Sequence, residues 1–121
     1  QYVSFEELLE RADFLTIHVP LTPQTTGMID AKAFARMKPG ACVVNISRAQ
    51  IIDRDALLAA LRSGKLGGAG LDVHYKEPSD PGDALTEFDN VILTPHTAIA
   101  WRWNGVNDMA ELAGNIDAAL A

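Results

Sequence analysis

The chain has 121 residues, 48% of them hydrophobic, and carries a formal net charge of −6 with a pI near 4.8. That is one domain's worth of sequence, able to bury a core without staples, and its ten scattered Lys and Arg residues argue against the clustered basic face of a nucleic-acid binder. The lone cysteine, Cys42, excludes a disulfide framework and fits a reducing, cytoplasmic compartment; no apolar run approaches a membrane span, and none reads as a charged-then-apolar leader.

Ser4-Phe5-Glu6-Glu7 reads as a capping box opening a helix that ends near Arg11. Phe14–Val19 is a β-rich run stopped by Pro20, and Leu21–Gly27 is turn chemistry. Asp30 caps a helix through Met37, closed by Lys38-Pro39-Gly40. Ala41–Ile46 (ACVVNI) is a near-continuous apolar strand, as expected of one buried on both faces. Asp53 caps the next helix, whose Leu57, Leu58 and Leu61 form an inward stripe, and Gly64 ends it. Strand Ala69–Val73 follows, then a Pro- and Asp-rich loop over residues 74–90, long enough to suggest function. Strand Val91–Leu93 leads into Thr94-Pro95-His96. A last helix carries Met109, Leu112, Ala113, Ile116 and Leu120 at helical spacing. The order β-α-β-α-β-β-α with short joints predicts an α/β fold with a mostly parallel sheet. The chain opens at Gln1, within a continuing pattern, and is expected to be a fragment of a longer protein.

The unit Ala41–Pro78 organises the chain. A βαβ crossover returns the chain to its starting side, so the carboxyl ends of its two strands share one edge. Ligands of open parallel sheets sit outside that edge. Arg48 after the first strand, Asp72 and Glu77 at the end of the second, and His96 after the third therefore converge. Each has a plainer reading alone: Arg48 as a surface partner of Asp53 or Asp55, His96 as a packed histidine, Glu77 as a solvated side chain. Together they are equipment for an α-keto acid. A guanidinium fork holds a carboxylate bidentately. An imidazole near a carboxylate keeps its proton to higher pH and can protonate a carbonyl oxygen as hydride arrives.

Gly64, Gly67, Gly68 and Gly70 are not a dinucleotide loop, because they precede a strand instead of joining a strand to its following helix. They read as a helix stop and a tight backbone approach. His18, His74 and His96 all lie near strand ends, but without an i,i+4 pair or a thiolate cluster no metal site is expected. Trp101 and Trp103 cannot share a helical face and suit a pocket wall, a packing role or a partner surface.

The ordered set VVNISR, DRDALLAALRSGKLGGAGLDV, EP and VILTPH resembles the D-isomer-specific 2-hydroxyacid dehydrogenases, over about four-fifths of the chain. The resemblance implies that Arg48 holds the substrate carboxylate, that His96 is the general acid–base, and that Glu77 raises its basicity. It further implies that Val19, Pro20, Thr25, Ile46, Ser47, Arg48 and Ala98 line the coenzyme cleft and that Asp72 holds the nicotinamide carboxamide. The implied coenzyme is NAD, with NADP the alternative, and the implied substrate a small 2-hydroxy or 2-keto acid. The implied fold is the second half of a Rossmann-type doubly wound sheet, without its G-x-G-x-x-G half or the substrate domain. The family's dimers form through this domain, so a homodimer or other self-association is expected. Ala49 stands where the family usually has glycine, and Trp101 and Trp103 where it has a hydroxyl residue and a glutamate. Glu77, in place of glutamine, argues against the formate dehydrogenases. A second reading is a corepressor-like module that binds dinucleotide to control protein assembly without significant turnover.

Overall fold

The computed structural model describes residues 1–98. The elements are α1 (Phe5–Arg11), β1 (Phe14–Ile17), α2 (Ala31–Arg36), β2 (Ala41–Asn45), α3 (Arg54–Arg62), β3 (Leu66–Leu71) and β4 (Val91–Leu93). Short 3-10 turns span Ala49–Ile51 and Ala84–Glu87. The sheet order is β1-β2-β3-β4 and every neighbouring pair is parallel. The α/β class and the parallel sheet anticipated from the element order are both present. All four carboxyl ends therefore open onto one edge. The expected last helix, with Met109, Leu112, Ala113, Ile116 and Leu120, lies outside the described residues, as do Trp101 and Trp103.

Local chemistry accounts for the helix starts. The Asp30 and Asp53 carboxylates each accept a backbone N–H three residues on, at 2.8 Å, satisfying an orphan donor of the first turn. At α1 only half of the anticipated capping box forms. The Ser4 hydroxyl accepts from the Glu7 N–H at 3.1 Å, but the Glu7 carboxylate turns to Arg11, at 2.7 Å. One turn along the helix is the natural distance for that pair. Gly64, at φ +71°, takes the left-handed conformation that ends α3.

Leu9, Phe34, Leu57 and Leu61 from the helices meet Leu15, Ile17, Val43, Ala69 and Leu71 of the sheet in one core. On β1 and β2 exposure alternates with the strand period. β2 is thus not buried on both faces as expected. Its Cys42 and Val44 are half-buried, on a sheet face where Phe14 and Ile92 are 72% and 71% exposed.

Strand ends shift in three of the strands. β1 stops at Ile17, before Val19, and β2 at Asn45, before Ile46. β3 runs over Leu66–Leu71, not Ala69–Val73, so Gly67 and Gly68 lie inside the strand and Asp72 just beyond it. The glycines are there because backbone crowds them. A Cβ on Gly67 would sit 2.3 Å from the Gly40 carbonyl oxygen, and one on Gly68 2.8 Å from that of Asn90. The close approach anticipated for this cluster is real.

The loop after β3 is clasped to α3. The Tyr75 hydroxyl donates to the Ile52 carbonyl at 3.0 Å, Arg54 pairs with Asp83 at 3.0 Å, and the Arg54 guanidinium lies 5.9 Å from the Tyr75 ring centroid. Burial pushes the Tyr75 phenol well above its ordinary pKa.

Candidate functional site

Four loops meet at the carboxyl edge. The first follows β1 and is folded on itself: the Thr25 hydroxyl donates to the Pro20 carbonyl at 2.7 Å and accepts the Thr22 N–H at 2.8 Å. The Ser47 hydroxyl, from the loop after β2, donates to the Val19 carbonyl. Val19, Pro20, Thr25 and Ser47 are therefore brought together. Val19, Leu21 and Ile46 are left 38–41% exposed, an apolar wall suited to a flat ring system.

The second loop carries Arg48 and is shaped by a residue that the sequence reading passed over. Asn45 is fully buried. Its Nδ2 donates to the Arg48 carbonyl at 2.9 Å, and its Oδ1 accepts from the Ser47 N–H at 3.0 Å. Both halves of its amide are used, as burial demands. The available signal was a polar side chain ending an otherwise apolar strand. Arg48 donates to the Ser47 carbonyl at 2.7 Å. Among the described residues it makes no ion pair with Asp53 or Asp55; Asp53 instead caps α3. Its guanidinium keeps donors available for an anion.

The third and fourth loops carry the titratable pair. His96 Nδ1 lies 2.8 Å from Glu77 Oε1. An ionised carboxylate only accepts, so Nδ1 carries hydrogen and Nε2 is left as the atom that gains or loses a proton. The Glu77 carboxyl is held below the usual carboxylate range, first by the His74 backbone N–H and then by the His96 ring. Glu77 precedes a cis proline peptide. Arg48, Glu77 and His96 line one cavity of about 390 Å³, with Gln50, His74 and Tyr75. A larger groove of about 510 Å³ between α2 and α3 is lined mostly by alanines. It offers no acid–base pair and is not the site.

Asp72 ties the last loop down. It is 4% exposed, and its carboxylate accepts from the Thr94 hydroxyl, from the Thr97 N–H at 2.9 Å and from the Ala98 N–H at 2.7 Å. Burial alone would raise its pKa. The Thr94, Ala98 and Thr97 hydrogen bonds and the nearby His96 outweigh that and hold it below the ordinary value. The two N–H groups go to different oxygens of the carboxylate and directly follow His96, which is in the left-handed region at φ +55°.

Comparison with known proteins identifies the family. The family model described as D-isomer specific 2-hydroxyacid dehydrogenase, NAD binding domain, matches residues 1–98, and the chain belongs to that family. A glyoxylate reductase of Korarchaeum cryptofilum is 48% identical over 100 residues, which span 83% of this chain and 30% of that protein. The apo structure of Rhodotorula graminis D-mandelate dehydrogenase superposes with a TM-score of 0.77 at 45% identity, covering 83% of this chain and 29% of that one. The NAD complex of a formate dehydrogenase from Staphylococcus aureus gives 0.75 at 39% identity, covering 78% and 29%. The chain thus spans about 30% of the length of the glyoxylate reductase that it matches. The corepressor-like alternative gains no support from these relatives.

Proposed function

We propose that this chain is the second half of the coenzyme domain of an NAD-dependent D-2-hydroxyacid dehydrogenase. The polypeptide containing it would interconvert a small 2-keto acid and its D-2-hydroxy acid in the reducing environment of the cytoplasm. One observation carries the reading: an arginine without an ionic partner among the described residues shares a cavity with a histidine whose Nδ1 is fixed by a carboxylate. Arg48 grips the substrate carboxylate through its remaining N–H groups. His96 gives the Nε2 proton to the carbonyl oxygen in reduction and takes it back in oxidation, while Glu77 holds the ring in the required orientation. The exposed Val19, Leu21 and Ile46, with Pro20, Thr25, Ser47, Arg48 and Ala98, border the coenzyme, and Asp72, through the loop it ties down, lies on the carboxamide side. The coenzyme, when bound, supplies or accepts the hydride.

The family's description as an NAD binding domain and the NAD complex of the S. aureus neighbour support the choice of coenzyme. Self-association, as a homodimer or by exchange of elements, is part of the same reading. Its support is the apolar sheet face bearing Phe14 and Ile92 and the position of β1 at the sheet edge.

Steady-state kinetics test the site. With glyoxylate, hydroxypyruvate, pyruvate and 3-phosphohydroxypyruvate offered in turn, Arg48→Lys should raise KM for the best substrate at least about ten-fold, because an ammonium cannot reproduce the bidentate fork. An unchanged KM would remove Arg48 from the carboxylate.

A further inference from the structure

A second imidazole stands beside the proposed acid–base pair. His74 is half-buried and lies between β3 and Glu77. Its ring Nε2 is 2.8 Å from the Thr94 carbonyl oxygen. A carbonyl only accepts, so Nε2 carries hydrogen there. Its backbone N–H reaches Glu77 Oε1 at 3.4 Å, long for a hydrogen bond. The ring contact is the firm one.

Thr94 makes that contact consequential. The carbonyl oxygen that receives His74 also receives the His96 N–H at 2.9 Å. The Thr94 N–H donates to the Leu71 carbonyl at 3.0 Å, and its hydroxyl donates to Asp72. His96 itself sits at φ +55°, a conformation unfavourable for a side-chain-bearing residue that lasts only where its surroundings hold it. Asp72 holds it from the downstream side, through Thr97 and Ala98. His74 holds it from the upstream side, through Thr94. Because His74 also begins the loop that presents Glu77, one ring joins the two loops whose side chains must meet. The His74 ring makes no contact with the His96 or Glu77 side chains in these bonds; the residue meets the pair only through its long backbone N–H contact to Glu77 Oε1 and through Thr94.

We infer that His74 is a positioning residue for the dehydrogenase reaction: its Nε2–H, bonded to the Thr94 carbonyl, pins the His96 loop against the Glu77 loop so that the His96 Nδ1–Glu77 contact is set before substrate arrives. The inference rests on the acid–base role proposed above for His96.

The test uses His74→Phe, which keeps a flat ring and removes the donor, and His74→Gln, which keeps an N–H able to reach the same carbonyl. Each is placed in the dehydrogenase polypeptide that contains this chain. His74→Met stands in should the phenylalanine variant fail to fold. The readouts are kcat and KM for the best 2-keto acid, and the ¹⁵N signals of the His96 ring in histidine-labelled protein. In the donorless variant kcat should fall about ten-fold, with KM changed less than about two-fold because the Arg48 grip is untouched. The His96 ring should also lose its purely Nδ1–H signature. His74→Gln should restore both. Wild-type kcat and an unaltered His96 signal in the donorless variant would overturn the inference, even with a lowered Tm, since a merely structural contact moves only the Tm. If the wild type turns over no 2-keto acid, the proposed reaction fails, and the His96 signal alone then decides for or against His74.

Discussion

Asn45 shows how much one side chain can organise. Its amide fixes both Ser47 and Arg48, and replacing it with leucine leaves the Arg48 carbonyl and the Ser47 N–H without that partner. That substitution should cost about 1–3 kcal/mol and raise the KM for keto acid, measured by denaturant melts and initial rates; a loss of stability with KM intact would detach Asn45 from the Arg48 loop. Asp72 makes a prediction about pH. Its folded pKa lies below the ordinary 3.8, so its contribution is complete above that value and is lost as pH falls through the depressed one. The Tm advantage of the wild type over Asp72→Asn should therefore hold at neutral pH and shrink below about pH 3.8. A difference independent of pH would show that the Asp72 charge stabilises nothing. At this scale the sequence was legible where chemistry is carried by type and position, as with Arg48, Glu77 and His96, whose convergence followed from strand ends alone. It did not give the roles of Asn45, His74 and Thr94. Their roles depend on hydrogen bonds to backbone, and His74 and Thr94 are 20 residues apart.

At the scale of elements, β3 is built around absent side chains. The sequence places the strand at Ala69–Val73, and glycine is a poor strand former. Backbone proximity overrides that preference, and only the packed neighbours, Gly40 and Asn90, reveal it. Gly67→Ala should destabilise the protein by at least about 2 kcal/mol, since the clash is with backbone and not with a movable side chain; a ΔΔG below 0.5 kcal/mol would mean that β2 and β3 can part without cost. Asp53→Ala, at the α3 cap, should cost about 1 kcal/mol. Helix starts were legible because a cap is a local device. Strand ends were not, because a ladder stops where its neighbour does. The clasp of Arg54, Asp83 and Tyr75 joins residues 29 apart in the case of its ion pair, and no local pattern announces it.

For the whole molecule, the parallel sheet delivers four loops to one edge, which is why residues from Val19 to Ala98 can serve a single site. The same sheet leaves Phe14 and Ile92 open on one face, and the 121-residue chain made by itself should sediment as dimers or larger species whose proportion rises with concentration. A single monomeric boundary across concentrations would contradict the self-association proposed. The central claim is that Arg48, Glu77 and His96 form one hydride-transfer site for a 2-keto acid, and His96→Ala tests it most directly. The measurement is NADH oxidation with the best of the four keto acids at pH 7, wild type beside variant, in the polypeptide containing this chain. The account predicts a kcat at least about 100-fold lower in the variant, with the fold and NADH binding retained. Equal turnover by the two proteins would contradict it.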